Sequence, residues 1–225
     1  MMVPSLTFLT ALLPFTAAAV CAAPAPKYTD FFFRFNGGTS IINDQRLRGN
    51  NSFEFFSPGA VNPPFNPSDH FNRASTNSSV PSKKAILFVV PTNPHPPPVP
   101  GYYGLSDKEG IPDAYRLLAS YRPEDEGAGY KYKEWELVKS KASGKVLLRY
   151  SGDTANEWRW IARREKVSDG PTGEKTMDKW VPWYVKPSGA NVKVLETWDY
   201  RAVELELEVT KCGVNSGAPG GVDQC

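Results

Sequence analysis

Patterns that carry chemistry are scarce in this chain of 225 residues. It has two histidines, His70 and His95, both in proline-rich surroundings, and no HxH, HExxH or CxxC spacing. Metal centres draw their ligands from such patterns, so neither a metal nor another cofactor is expected. There is no GxSxG elbow, no GxGxxG turn and no Walker loop, which removes the common routes to serine acyl transfer and nucleotide binding. Ser151-Gly152-Asp153 reads as a hairpin turn. The formal net charge is only +2, and the basic pairs Lys83-Lys84 and Arg163-Arg164 stand apart. That argues against a nucleic-acid partner, which needs a continuous basic surface. After residue 22 no apolar run is long enough to span a bilayer.

Residues 1–22, MMVPSLTFLTALLPFTAAAVCA, carry no charged side chain and end in small residues. They read as an export signal cleaved before Ala23, which predicts a secreted, extracellular or cell-wall-associated protein. Of three cysteines, Cys21 leaves with this segment. Cys212 and Cys225 are then expected to pair in an oxidising compartment. Asn50-Asn51-Ser52 and Asn77-Ser78-Ser79 are glycosylation sequons.

Organisation follows from alternation and from turn residues. Residues 23–60 hold two strand candidates, YTDFFFRF closed by Asn36-Gly37-Gly38, and FEFF closed by Ser57-Pro58-Gly59. Residues 61–84 read as an irregular Pro/Ser/Asn-rich insertion. Residues 85–211 are the β-rich core, crossed by a proline-rich segment at 91–100, and 212–225 form the disulfide-closed tail. Ala85 to Val90, AILFVV, reads as a central strand buried on both faces. Asp113 to Tyr121 is open between helix and strand. YKYKEWELV, KVLLRY, NEWRWIAR, WVPWYV and NVKVLETW continue the strand series, with Pro182 marking an edge or a bulge. In RAVELELEVT, Val203, Leu205, Leu207 and Val209 form one face and Glu204, Glu206 and Glu208 the other, a period of two that excludes a helix. The predicted fold is all-β, a single antiparallel sandwich or barrel-like domain.

Two groups of residues bear on function. Glu204, Glu206 and Glu208 lie about 7 Å apart at alternate strand positions, the separation of an acid and base across a glycosidic bond. They also suit a wet face opposed by Lys or Arg. The aromatic group is denser: all six tryptophans fall between Trp135 and Trp198. Trp180, Trp183 and Tyr184 are the candidate ligand platform, since a proline-containing edge stays accessible and rings stack on apolar faces of sugars. The competing reading is that these rings fill the core. Trp158 and Trp160 share one strand face.

The leader and mature start AAAVCAAPAPK, the FNGG turn and the late stretch ETWDYRAVELELEVTKC together resemble a family of uncharacterised small secreted β-proteins of filamentous fungi. The comparable positions are Trp198, Tyr200, Leu205, Leu207 and Cys212. The resemblance implies an extracellular or cell-wall protein and brings no catalytic residues. The expected function is therefore a non-enzymatic module that binds a glycan, wall polymer or other surface component through exposed aromatics. The alternatives are a polysaccharide hydrolase using the paired carboxylates, and an effector or structural wall protein with a protein partner.

Overall fold

Phenylalanine at every second position sets the first strand, β1 (Thr29–Gly37). Phe31, Phe33 and Phe35 are fully buried, while Arg34 and Asn36 face outward. Removing each such ring from water stabilises the fold by roughly 1.5–3 kcal/mol. At the strand's end Gly37 and Gly38 take φ of +96° and +79°. A Cβ on Gly38 would also meet Ile42 Cδ1 at 2.7 Å, so the FNGG turn needs glycine for both reasons.

The structure is a computed structural model and describes residues 29–49, 55–56, 70–71, 73–89, 101–141, 144–151, 157–169 and 175–209. After β1 come β2 (Arg48–Gly49), β3 (Phe55–Phe56) and β4 (His70–Phe71), which form a small separate sheet. The main sheet adds β5 (Arg73–Thr76), β6 (Ser82–Ala85), β7 (Phe88–Val89), β8 (Tyr102–Ser106), β9 (Ala114–Ser120), β10 (Trp135–Lys139), β11 (Val146–Tyr150), β12 (Arg159–Asp169), β13 (Lys175–Val185) and β14 (Tyr200–Val209). The short helix α1 (Val192–Glu196) precedes β14.

Eight strands close into an antiparallel barrel in the order β1-β5-β7-β8-β9-β13-β12-β14, with β14 returning to β1. The closing seam runs from Phe31↔Val209 to Gly37↔Val203. On its other side β14 changes neighbours. Its first half pairs with β12 through Trp160↔Val203, and its second half pairs with β11 through Val146↔Leu207. Strands β11, β10 and β6 therefore continue the sheet beyond the barrel. The main core lies between these parts. Trp135 of β10 stacks on Trp160 of β12 at 6.4 Å and donates its indole N–H to Tyr103 O at 2.9 Å, which ties the extension to the barrel. A smaller cluster on the outer wall, around Ile161, Val181, Trp183 and Val185, is covered by Leu195 of α1.

Several local expectations are corrected. AILFVV is not one central strand: it divides at Ile86-Leu87 between β6, on the free edge of the extension, and β7, in the barrel wall. The exposed Lys83 and Lys84 on β6 suit an edge that must not recruit another strand. Part of the stretch 61–84 is ordered wall, since β5 lies between β1 and β7. NVKVLETW forms α1 rather than a strand. The Asn191 carboxamide accepts a 2.9 Å bond from Ser188 N and donates to Pro112 O and Lys186 O at 2.6 and 3.1 Å. This folds the segment back, leaving Val192 and Val194 exposed and only Leu195 buried. WVPWYV is not an edge, because β13 lies between β12 and β9. Pro182 stands opposite Ala162, one residue beyond the last β9 pair, Trp183↔Arg116, where no β9 partner remains. The expected disulfide is also corrected. Among the described residues there is no disulfide bond: they contain no cysteine, and the last strand is held by its ladder to β1. Cys212 and Cys225 both lie outside the described residues.

Candidate functional site

The three carboxylates of β14 share one face, opposite Asn36, Arg34 and Phe32 of β1, and each has a partner. Glu206, only 3% exposed, accepts a bond from Arg34 Nη2 at 2.9 Å and meets Lys145 Nζ at 2.9 Å. Glu208 takes two 3.0 Å bonds from Arg46, through Nε and Nη2. Glu204 accepts a 3.3 Å bond from Asn36 Nδ2. The Arg46 hydrogen bond holds the Glu208 carboxyl below the usual carboxylate range, against a smaller opposing effect of burial. A glycosidase acid needs the reverse, a carboxyl kept protonated near neutrality. The row is a partnered wall face, ion-paired at Glu206 and Glu208 and amide-bonded at Glu204.

Glu126 behaves similarly on the other side of the barrel. Burial opposes its ionisation, but bonds from Lys108 and Ser120 outweigh burial and lower its pKa. A depressed folded pKa contributes stability above the ordinary value of 4.5 and loses it as pH falls through the folded value. Glu208→Gln and Glu126→Gln should therefore lower the melting temperature at about pH 7 and much less at about pH 3. Equal losses at both pH values would contradict this linkage.

The aromatic residues singled out in the sequence do not form one platform. Trp183 is 0% and Tyr184 2% exposed, and Trp180 is half-buried. Neighbouring residues on a strand point to opposite faces, so Trp183 leaves the barrel and Tyr184 enters it. The Trp183 indole N–H donates to Glu165 Oε1 at 2.5 Å. The Arg163 guanidinium lies 5.5 Å from its ring and 3.9 Å from that of Trp198. Tyr184 packs inside the barrel against Trp158 and Trp160 at 5.3 and 4.8 Å. Trp180 rests against the main core, with the Arg201 guanidinium 5.5 Å from its ring. Trp160 is buried, Trp158 half-buried and Arg159 exposed.

Accessible rings gather elsewhere. Phe88 of β7 and Tyr102 of β8 are paired across their strands, with centroids 5.5 Å apart. Tyr102 lies 5.4 Å from Tyr132, which stacks on Tyr130 at 5.9 Å and 29°. This ribbon is on the outside of the wall, because Tyr103, the next residue along, is buried inside against Phe33 at 4.8 Å. Its foundation is rigid. Tyr130 presses on Gly104, where a Cβ would come within 2.4 Å of its Cζ, and its hydroxyl lies 3.0 Å from Tyr102 O and 3.2 Å from Leu118 O. Burial pushes the Tyr130 phenol pKa well above its ordinary value. Phe88, Tyr102 and Tyr132 are each half-buried, so their outer surfaces meet solvent. A second aromatic group, Tyr115 with Trp158 at 5.5 Å, sits where β9 begins and β13 ends.

No family model matches the chain, and no curated protein or solved structure resembles it at a significant level.

Among the described residues, no three His, Cys, Asp or Glu side chains gather as metal ligands, and no helix is long and apolar enough to cross a membrane. His70 falls in β4 and His95 outside the described residues. Of the two sequons, Asn77 is exposed on the bend after β5, where Ser78 N donates to Thr76 Oγ1 at 3.2 Å. Asn50 lies outside the described residues. The ribbon was only half legible in the sequence. Alternation in Tyr130-Lys131-Tyr132 puts both tyrosines on one face, but nothing local says that this segment lies against Tyr102.

Proposed function

We propose that this is a secreted, non-enzymatic module that holds a glycan or cell-wall polymer on the ribbon Phe88–Tyr102–Tyr132. The observation that carries the reading is three accessible rings with centroids 5.4–5.5 Å apart on a rigid outer wall. Such rings offer apolar faces to the CH faces of successive sugars, while phenolic hydroxyls at their rims reach sugar hydroxyls. Strands β7 and β8 fix Phe88 and Tyr102, and the Leu105–Lys131 bridge holds the segment that carries Tyr132, so little side-chain entropy is lost on binding. The hydrolase reading finds no support in Glu204, Glu206 and Glu208, whose partners leave no free acid and base facing each other.

The test is retention of the purified protein on a panel of insoluble polysaccharides, with released reducing sugar assayed in the same tubes. Saturable retention without sugar release is expected. Tyr102→Ala combined with Tyr132→Ala should reduce retention at least about tenfold, since each stacking ring contributes on the order of 1 kcal/mol. The far-UV spectrum should remain that of the parent. Retention unchanged in the double variant would reject the ribbon as the binding surface. Sugar release would reject the non-enzymatic reading.

A further inference from the structure

The second aromatic group contains a cation of the chain's own. Lys131 exchanges both backbone hydrogen bonds with Leu105, each 2.9 Å, in an antiparallel bridge. Residues opposed in such a bridge point to the same face, and Leu105 is fully buried in the barrel core. Lys131 is thereby aimed inward, between Tyr130 and Tyr132, which face out. Its Nζ lies 4.1 Å from the centroid of Tyr115, 5.4 Å from that of Trp158 and 5.9 Å from that of Tyr150. Among the described residues its ammonium makes no ion pair; ring faces are its only partners.

The walls of this cage are fixed from behind. Tyr184 stacks on Trp158 at 5.3 Å and 19°, and in turn packs on Trp160. Trp160 is anchored by its indole N–H on Leu148 O at 2.6 Å. Tyr150 meets Trp135 edge-on at 5.4 Å. Lys131, Tyr115 and Trp158 are each half-buried, so the cage opens to solvent.

We propose that the Tyr115–Trp158–Tyr150 cage is a binding site for a small quaternary ammonium, and that the Lys131 ammonium is its internal competitor. A primary ammonium is strongly hydrated and, without a carboxylate, gains little by leaving water for ring faces. A methylated ammonium is weakly hydrated and gains the same quadrupole attraction at lower desolvation cost. The Lys131 stem can swing out through its rotamers while the backbone stays paired with Leu105. Among the described residues no carboxylate lines the cage, which disfavours sodium or potassium, since these need oxygen ligands. This site is separate from the ribbon and does not depend on polysaccharide binding.

The experiment titrates tetramethylammonium chloride into the purified chain and into Lys131→Ala, at ionic strength matched with sodium chloride, followed by tryptophan fluorescence and calorimetry. Lys131→Ala should bind about fivefold tighter than the parent, the factor by which an occupying ammonium of ordinary cation–π strength lowers apparent affinity. Tyr115→Leu should lose binding. Choline and phosphatidylcholine vesicles then distinguish a free solute from a lipid headgroup, and either supports the site. No saturable binding to a folded Lys131→Ala overturns the proposal. If Lys131→Ala melts early, the parent decides: tetramethylammonium must raise its melting temperature above the sodium chloride control, and equal melting temperatures overturn the site.

Discussion

Trp183→Ala should lower stability by about 3–5 kcal/mol, a fall in melting temperature of roughly 6–20 °C for a chain of this size. The ring is completely buried between the barrel wall and α1, with Trp198 at 5.0 Å and Leu195 in the same cluster. Alanine would leave a cavity that neighbouring strands cannot close, because β12 and β9 hold β13 on both sides. It would also remove the indole donor from Glu165, leaving that carboxylate to Arg163 and Arg116, both at 3.4 Å. Trp183→Phe separates the two effects. It keeps most of the packing and loses the bond, for about 1–3 kcal/mol. Thermal melts of both variants, with polysaccharide retention measured below the transition, distinguish this role from ligand contact. A stable Trp183→Ala that has lost retention would restore Trp183 as a binding residue.

The second large effect is expected where charge is buried rather than where rings are. Replacing Arg34 and Lys145 together by methionine should cost about 3–5 kcal/mol. Glu206 would keep its buried position and lose both cations, and an uncompensated buried charge costs more than the pair contributed. Adding Glu206→Leu to that background should recover much of the loss, because an apolar side chain needs no partner there. The parent, the double variant and the triple variant are compared by urea denaturation, through their midpoints at constant m. No recovery in the triple variant would mean that the cations act through their stems, as packing, and not through Glu206.

These two cases mark how far the sequence could be read. The alternation of Val203, Leu205 and Leu207 against Glu204, Glu206 and Glu208 is a local property, and it predicted both the strand and its faces. It also made an ion-paired face one of two available readings. It could not tell that Glu206 would be buried on the supposedly wet side, because Arg34 and Lys145 come from residues 172 and 61 positions away. The same limit governs the aromatics. In the sequence Trp183 and Tyr184 read as one accessible platform, although adjacent strand residues face opposite ways, and their exposure depended on neighbours: β9 on one side and α1 above. A proline suggested an edge, whereas the ladder merely ends beside it. AILFVV looked like a strand buried on both sides because apolar residues dominate it. The chain instead divides those residues between two strands at different places in the sheet, a decision made by partners remote in sequence. What could be seen locally was the β class, the glycine turn and the facing of Trp158 and Trp160. What could not was closure, and with it the ribbon and the cage.

The seam between β1 and β14 bears on how the molecule comes into being. Its partners are separated by up to 178 positions, as in Phe31↔Val209, so the first wall strand has to wait for the final one. While the ribosome is still elongating, β1 and β12 each lack the neighbour that covers one of their edges. Distant pairing of this kind slows acquisition of the native state, and open edges invite joining to other nascent chains. Production of this protein should therefore be governed less by the strength of its finished core than by how long those edges stay uncovered.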